Sequence, residues 1–280
     1  MIPKLKHLAA VLLLVGYCRA TTVVVVVTPQ AIFVGADGRS TSPLKRPTSR
    51  RVQKTVIFQK RLIVACLGVC LINFRLPNNG AEKAVGYDFT EWIARIEKKC
   101  PQNVSVADLT SILEKESRVT FNDMQLDSFI AEGAFDGQYP QKSFADFVIA
   151  GYDARVPAIN RVKFEIDWNE RSLNLRIEND HPRAGTRVDF DFFILGEFVT
   201  MVNDVRNRES ESYKELFSLV PKVLPKLAAM QNLSSDEARS LCLAVLRIQA
   251  KHLKSVGPPY SITTTVPLGT GKPTQVIYPK

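Results

Sequence analysis

Residues Thr22–Thr28 read Thr-Val-Val-Val-Val-Val-Thr. Such β-branched side chains are stiff at χ1 and pack well on a pleated surface, so this run is a strand. It lacks the apolar/polar alternation of a strand with one wet face, which suits burial on both faces. A chain built on it needs cover above and below its sheet. Pro29-Gln30 supplies a turn and Ala31–Ala36 a second strand, so the pair reads as a hairpin. The polar stretch Asp37–Pro43 reads as turn. Thr55–Gln59 and Arg61–Leu67 form a second hairpin across Lys60.

Helices follow. Asp88–Lys99 places Phe89, Trp92, Ile93 and Ile96 on one face. Ser105 is the expected N-cap of a helix reaching Glu116, with Val106, Leu109, Ile112 and Leu113 along one side. Between Gly68 and Asp88, the segment Pro77-Asn78-Asn79-Gly80 marks an exposed loop. Strands are expected again over Phe144–Tyr152, Arg161–Asp167, Ser172–Glu178 and Asp189–Leu195. Ser210–Met230 is helical but split or kinked by Pro221 and Pro225. Ser234–Lys254 opens with a capping box, Ser234 to Glu237, and carries Ala238, Leu241, Cys242, Val245 and Ile248 at helical spacing. Gly257-Pro258-Pro259 stops it, Tyr260–Val266 closes the set as a strand, and Gln275–Tyr278 can add an edge strand to the tail. Strands, two helices, strands, two helices and a strand make an α+β chain. Two sheets face to face, each covered by a pair of helices, satisfy that order as a four-layer αββα sandwich.

The first twenty residues read as a signal peptide. Lys4, Lys6 and His7 precede a compact apolar stretch, Leu8–Val15, too short to span a bilayer. Cys18-Arg19-Ala20 then offers a small residue at each position that a signal peptidase inspects. The expected organisation is a leader at 1–20, one domain at 21–267 and a tail at 268–280, in an exported protein, periplasmic or secreted, with no membrane span after cleavage. Losing the leader removes Lys4, Lys6 and Arg19 and no acid, lowering the formal charge from +9 to +6. The basic residues are scattered, which argues against nucleic-acid binding. Four cysteines then remain, Cys66, Cys70, Cys100 and Cys242. Cys66 and Cys242 sit in apolar runs. Cys66 and Cys70 are spaced wrongly for a zinc knuckle, and three histidines in the whole chain argue against a metal site. No cofactor is expected.

Cleavage after Ala20 would expose Thr21. A threonine at a free N-terminus carries a hydroxyl nucleophile together with an amine of pKa about 8 that can serve as its base. Such a nucleophile needs a nearby lysine ammonium, a carboxylate to hold that lysine, and a backbone N–H aimed at the developing oxyanion. Losing one oxyanion donor costs about 3 kcal/mol. Asp37 at the end of the second strand, Lys54 opening the third and Gly68 ending the fourth are the candidates, since antiparallel neighbours can bring them to one sheet end beside Thr21.

In these residues the chain resembles the proteasome β-subunit family, threonine peptidases of the N-terminal-nucleophile hydrolase fold. That family begins Thr-Thr before an apolar strand, then shows a strand ending Ala-Asp-Ser-Arg-Ala-Thr, a lysine opening a strand and a glycine after the next. Here stand Thr21-Thr22, Ala36-Asp37-Gly38-Arg39-Ser40-Thr41, Lys54 and Gly68. The spacing from Thr21 to Asp37 equals the family's, and Lys54 and Gly68 fit after one inserted residue. Ala150-Gly151-Tyr152-Asp153 and Ser234–Lys254 match later elements, so the resemblance runs from Thr21 to Val266. It implies a peptide or small-amide substrate, an acyl-enzyme intermediate and a homo-oligomer. The chain departs from the pattern at Gly196-Glu197-Phe198, where the family has Gly-Ser-Gly, and at His252–Gly257, where many members have Arg-Asp and Ser-Gly-Gly. The supporting serine and aspartate are therefore missing, and Glu197 is a candidate for a place near the active end. The expected function is an exported N-terminal-threonine amide hydrolase. The alternative is a catalytically silent scaffold or peptide-binding protein of the same shape.

Overall fold

The structure is a computed structural model, which describes residues 22–41, 47–78, 81–131, 143–153, 155–179, 191–196, 208–228, 231–253 and 256–279. In chain order the strands are β1 (Thr22–Val27), β2 (Ile32–Asp37), β3 (Arg39–Thr41), β4 (Pro47–Arg51), β5 (Thr55–Phe58), β6 (Leu62–Gly68), β7 (Leu71–Asn78), β8 (Ala81–Asp88), β9 (Ser143–Asp153), β10 (Val156–Asp167), β11 (Ser172–Asn179), β12 (Asp191–Gly196), β13 (Tyr260–Thr265) and β14 (Thr274–Tyr278). The helices are α1 (Phe89–Lys99), α2 (Val106–Asp123), α3 (Leu126–Ala131), α4 (Glu211–Leu219), α5 (Val223–Ala228) and α6 (Ser235–His252).

Two five-stranded antiparallel sheets carry the chain, ordered β12-β1-β2-β13-β14 and β11-β10-β9-β6-β5. The β1–β2 hairpin forms as the sequence suggests, with Val25 opposite Val34 across the Pro29-Gln30 turn. Its other neighbour is β12, from far along the chain, with Val25 opposite Phe193. The valine run is thus interior to a sheet, and its two faces serve two cores. Val24 and Val26 pack with Leu241, Val245 and Ile248 of α6. Val23, Val25 and Val27 pack with Ile63, Ala65 and Val148 of the second sheet. The opposite face of the second sheet makes a third, aromatic core. The Phe147 ring stacks on Phe89 at 6.1 Å and lies 5.2 Å from Trp92, and Phe121 meets Phe164 edge-on at 4.8 Å. The described residues thus form an α+β chain with two five-stranded antiparallel sheets, two two-stranded ones and six helices.

Local signals placed the helix starts. Asp88 accepts hydrogen bonds from the N–H groups of Thr90 and Glu91, and reciprocal capping boxes join Ser105 to Asp108 and Ser234 to Glu237. The 210–230 helix is split, with α4 ending before Pro221 and α5 beginning after it.

Three sequence expectations are corrected. The segment from Gly68 to Asp88 is not a loop: β7 and β8 form a hairpin through it, from Leu71 opposite Asp88 to Asn78 opposite Ala81. In sequence Asn79-Gly80 joins those strands, and Asn-Gly between two strand-forming runs is the strongest short hairpin signal. Helix α2 continues past Glu116 to Asp123, because Leu109, Leu113, Ser117 and Phe121 keep one buried stripe at four-residue spacing. Its polar member, Ser117, donates to the Leu113 carbonyl and is satisfied inside the helix. The stretch after Asp37 is not all turn, since β3 pairs with β4 in a two-stranded ribbon.

The tail contributes β14, paired with β13 from Tyr260 opposite Tyr278 to Thr264 opposite Thr274. Cys66, Cys70, Cys100 and Cys242 are free thiols, and all but Cys100 are buried. Among the described residues no helix is long and apolar enough to cross a membrane, and no group of three or more His, Cys, Asp or Glu side chains could hold a metal ion. The leader, Thr21 and Glu197 lie outside the described residues.

Candidate active site

The hairpin register decides what stands at the start of β1. Val23 is opposite Ala36, so Thr22 falls opposite Asp37 at the end of β2. The Thr22 N–H donates to Asp37 Oδ1 at 3.0 Å, and the Arg39 N–H donates to Asp37 Oδ2 at 3.2 Å. The Asp37 carboxylate is therefore held by one N–H of the neighbouring strand and one just after its own strand.

Lys54 reaches this carboxylate from the second sheet. It immediately precedes β5, and its carbonyl accepts the Cys66 N–H at 2.8 Å, extending the β5–β6 ladder by one step. Its ammonium stands 3.1 Å from both Asp37 oxygens, and both side chains have zero exposure. Hydroxyls fix β5 against the first sheet. Thr55 Oγ1 lies 3.1 Å from Ser261 Oγ and accepts from Thr263 Oγ1 at 3.0 Å, while Gln275 Nε2 donates to Thr55 Oγ1 at 2.9 Å. The ion pair thus joins the ends of two sheets that share no ladder.

Burial raises the Asp37 carboxyl above its usual value, opposed by the charge of Lys54 and by the hydrogen bonds it accepts. Burying two charges costs several kcal/mol per ion even after relaxation, and apolar pairs of the same volume are often as stable or more so. The carboxylate of the pair also holds the N–H of Thr22, the residue that follows Thr21.

Gly68 ends β6 opposite Ala145, two residues beyond the Cys66 that bonds Lys54. Its φ of +73° lies in the left-handed region, and a Cβ there would stand 2.5 Å from the Phe144 carbonyl oxygen. Both facts require glycine. The following N–H, of Val69, donates to that same carbonyl at 3.0 Å and closes the turn. Of the sequence-derived candidates, Asp37 and Lys54 are in direct contact and Gly68 sits at the same end of the second sheet.

One residue escaped the sequence reading. Gln249 of α6 is fully buried, and its Oε1 accepts a hydrogen bond from the Thr22 hydroxyl. It continues the stripe of Cys242 and Val245 toward the helix end, and a polar side chain on such an apolar stripe was the available signal. Arg39 is also close: its guanidinium lies against Gly257, where a Cβ would come within 2.3 Å of it.

No family model matches the chain, and no curated protein does. Among solved structures it is similar to the Gly-1 mutant of Anbu from Hyphomicrobium sp. strain MC1, at 12% identity and a TM-score of 0.47 over 92% of this chain and 88% of that one. It is also similar to Anbu, an ancestral beta-subunit, from Yersinia bercovieri, at 12% identity and a TM-score of 0.48 over 92% and 87%. At these values neither similarity bears on what the chain does. The assignment to the proteasome β-subunit family is corrected accordingly, since no model of that or any other family matches. The motifs behind it sit at strand ends, where hairpin lengths set the spacing, and a handful of such positions does not make a family.

Proposed function

We propose that the protein is an amide hydrolase whose nucleophile is the hydroxyl of Thr21, freed when the leader at 1–20 is removed during export. One observation carries this reading: the buried Lys54–Asp37 pair spans two sheets, and its carboxylate also holds the N–H of Thr22, the residue next to the proposed nucleophile. The proposed domain runs from 21 to 267 as a four-layer αββα sandwich. Support comes from the three cores, one between the two sheets and one on the far face of each.

In the proposed reaction the Thr21 oxygen attacks the carbonyl carbon of a peptide or small amide. The hydroxyl proton passes to the Thr21 amine, with the Lys54 ammonium stabilising the alkoxide and Asp37 holding Lys54 charged. The backbone N–H at Gly68 is the proposed donor to the oxyanion. The C–N bond then breaks, the leaving amine takes the proton, and an ester remains on Thr21. Water attacks that ester, releases the acid and restores the hydroxyl. Self-association into a homo-oligomer belongs to the same reading, supported by the exposed Ile177 and Ile277 on the edge strands β11 and β14.

Intact mass of the exported chain, followed by treatment with a peptide β-lactone, tests the proposal. The expected result is a chain beginning at Thr21 that gains one acyl group on that residue, and none after Thr21→Ala. A correctly trimmed, folded chain that stays unlabelled would overturn the hydrolase reading in favour of a silent scaffold.

A further inference from the structure

Gln249 is the polar side chain that the proposed chemistry does not use. It lies in the layer where α6 covers the first sheet, among Val245, Leu246 and Ile248, all buried. Its Oε1 accepts from the Thr22 hydroxyl across 227 positions of sequence, and its Nε2 is buried with no hydrogen-bond partner among the described residues. An amide in an apolar layer loses its hydration, and one end of this amide recovers nothing in return. An apolar side chain of similar volume would fill the same space without that loss. Packing therefore does not account for a glutamine here.

The bond to Thr22 does account for it. Thr22 is tied in three directions. Its N–H goes to Asp37, its strand pairs with Gly196 of β12, and its hydroxyl goes to the helix layer. Asp37 is in turn fixed by Lys54, and Gln249 by a helix whose start is capped at Ser234. We propose that Gln249 is a positioning residue of the candidate active site: by clamping the Thr22 side chain it fixes the start of β1 beside the Asp37–Lys54 pair, next in sequence to the proposed nucleophile. This inference rests on the proposed function, because it assigns Gln249 a part in the reaction of Thr21.

The test uses Gln249→Met and Thr22→Val, each of which keeps volume and removes one side of the bond, together with the double variant. The readout is acylation of the exported chain by a peptide β-lactone, resolved into the reversible binding constant and the maximal rate of acylation. Misplacing a reacting group costs about 10- to 100-fold in rate, so each variant is expected to slow the maximal rate by that order with binding unchanged. The double variant should be no slower than the singles, because both remove the same bond. Unchanged acylation rates, additive losses, or a loss seen only in binding would overturn the proposal. Deuterium exchange over residues 22–27 separates this from failure of the hydrolase reading. If even the wild-type chain is never acylated, the proposed function fails, and faster exchange in Q249M is still expected. Exchange unchanged in Q249M overturns the clamp by itself.

Discussion

The ammonium of Lys54 lies 3.1 Å from each carboxylate oxygen of Asp37, and the two residues come from sheets that share no ladder. Neither side chain touches solvent, and the Asp37 carboxylate is compensated by Lys54 together with the N–H groups of Thr22 and Arg39.

Removing one partner strands the other. Lys54→Met is expected to destabilise the fold by about 3–5 kcal/mol, since it leaves a buried carboxylate unpaired. The double variant Asp37→Asn/Lys54→Met should recover much of that loss. Urea unfolding of the single and double variants measures both. A double variant as unstable as K54M would mean that the loss is steric rather than electrostatic.

The pair also sets a pH dependence. Burial raises the folded-state value of Asp37 above its ordinary 3.8, so in that window the folded chain holds a proton that the unfolded chain has released. The stabilisation from Asp37 is thus fully present below 3.8 and is lost as pH rises through the raised folded value. The stability difference between wild type and Asp37→Asn, followed by urea unfolding over the acid range, should fall with rising pH. Acylation by a β-lactone, which needs the ionised carboxylate to hold Lys54, should show its acid limb above the ordinary carboxylate range.

Gly68→Ala puts a side chain into a left-handed backbone and against the Phe144 carbonyl. A strained φ of this kind costs about 1–3 kcal/mol. Thermal unfolding should show that loss. Acylation should slow by more than the stability loss explains, because relief of the clash moves the N–H proposed to meet the oxyanion. A variant that is destabilised but acylates at the wild-type rate would remove Gly68 from the site.

Phe147 is the hub of the aromatic core, in contact with Phe89, Trp92 and Phe164. Truncation to alanine opens a cavity under the second sheet and is expected to cost about 3–5 kcal/mol. Denaturant unfolding checks the size of the loss. A value below 1 kcal/mol would mean that the core collapses freely around the gap.

Much of the local structure was legible in the residues. The valine run announced a strand covered on both faces, Ser105 and Ser234 announced helix starts, and Pro221 announced a break. Asp37, Lys54 and Gly68 were legible as strand-end residues because hairpin spacing is a short-range property. The β7–β8 hairpin was hidden because a segment rich in Pro, Asn and Gly reads as loop unless its flanks are seen to pair. Gln249 was hidden because its one signal, a polar side chain on the apolar stripe of α6, does not say what the amide meets.

By itself, then, the chain's order of residues determined most strands, the β1–β2 and β5–β6 hairpins and the caps, since these follow from periodicities of two and about four residues and from turn chemistry. Only the tertiary structure decided that β12 closes the side of β1, that Lys54 meets Asp37 across two sheets, and that α6 brings Gln249 to Thr22. Those contacts depend on which faces stack on which. Stacking is chosen by the burial of whole apolar surfaces, and no local pattern encodes it.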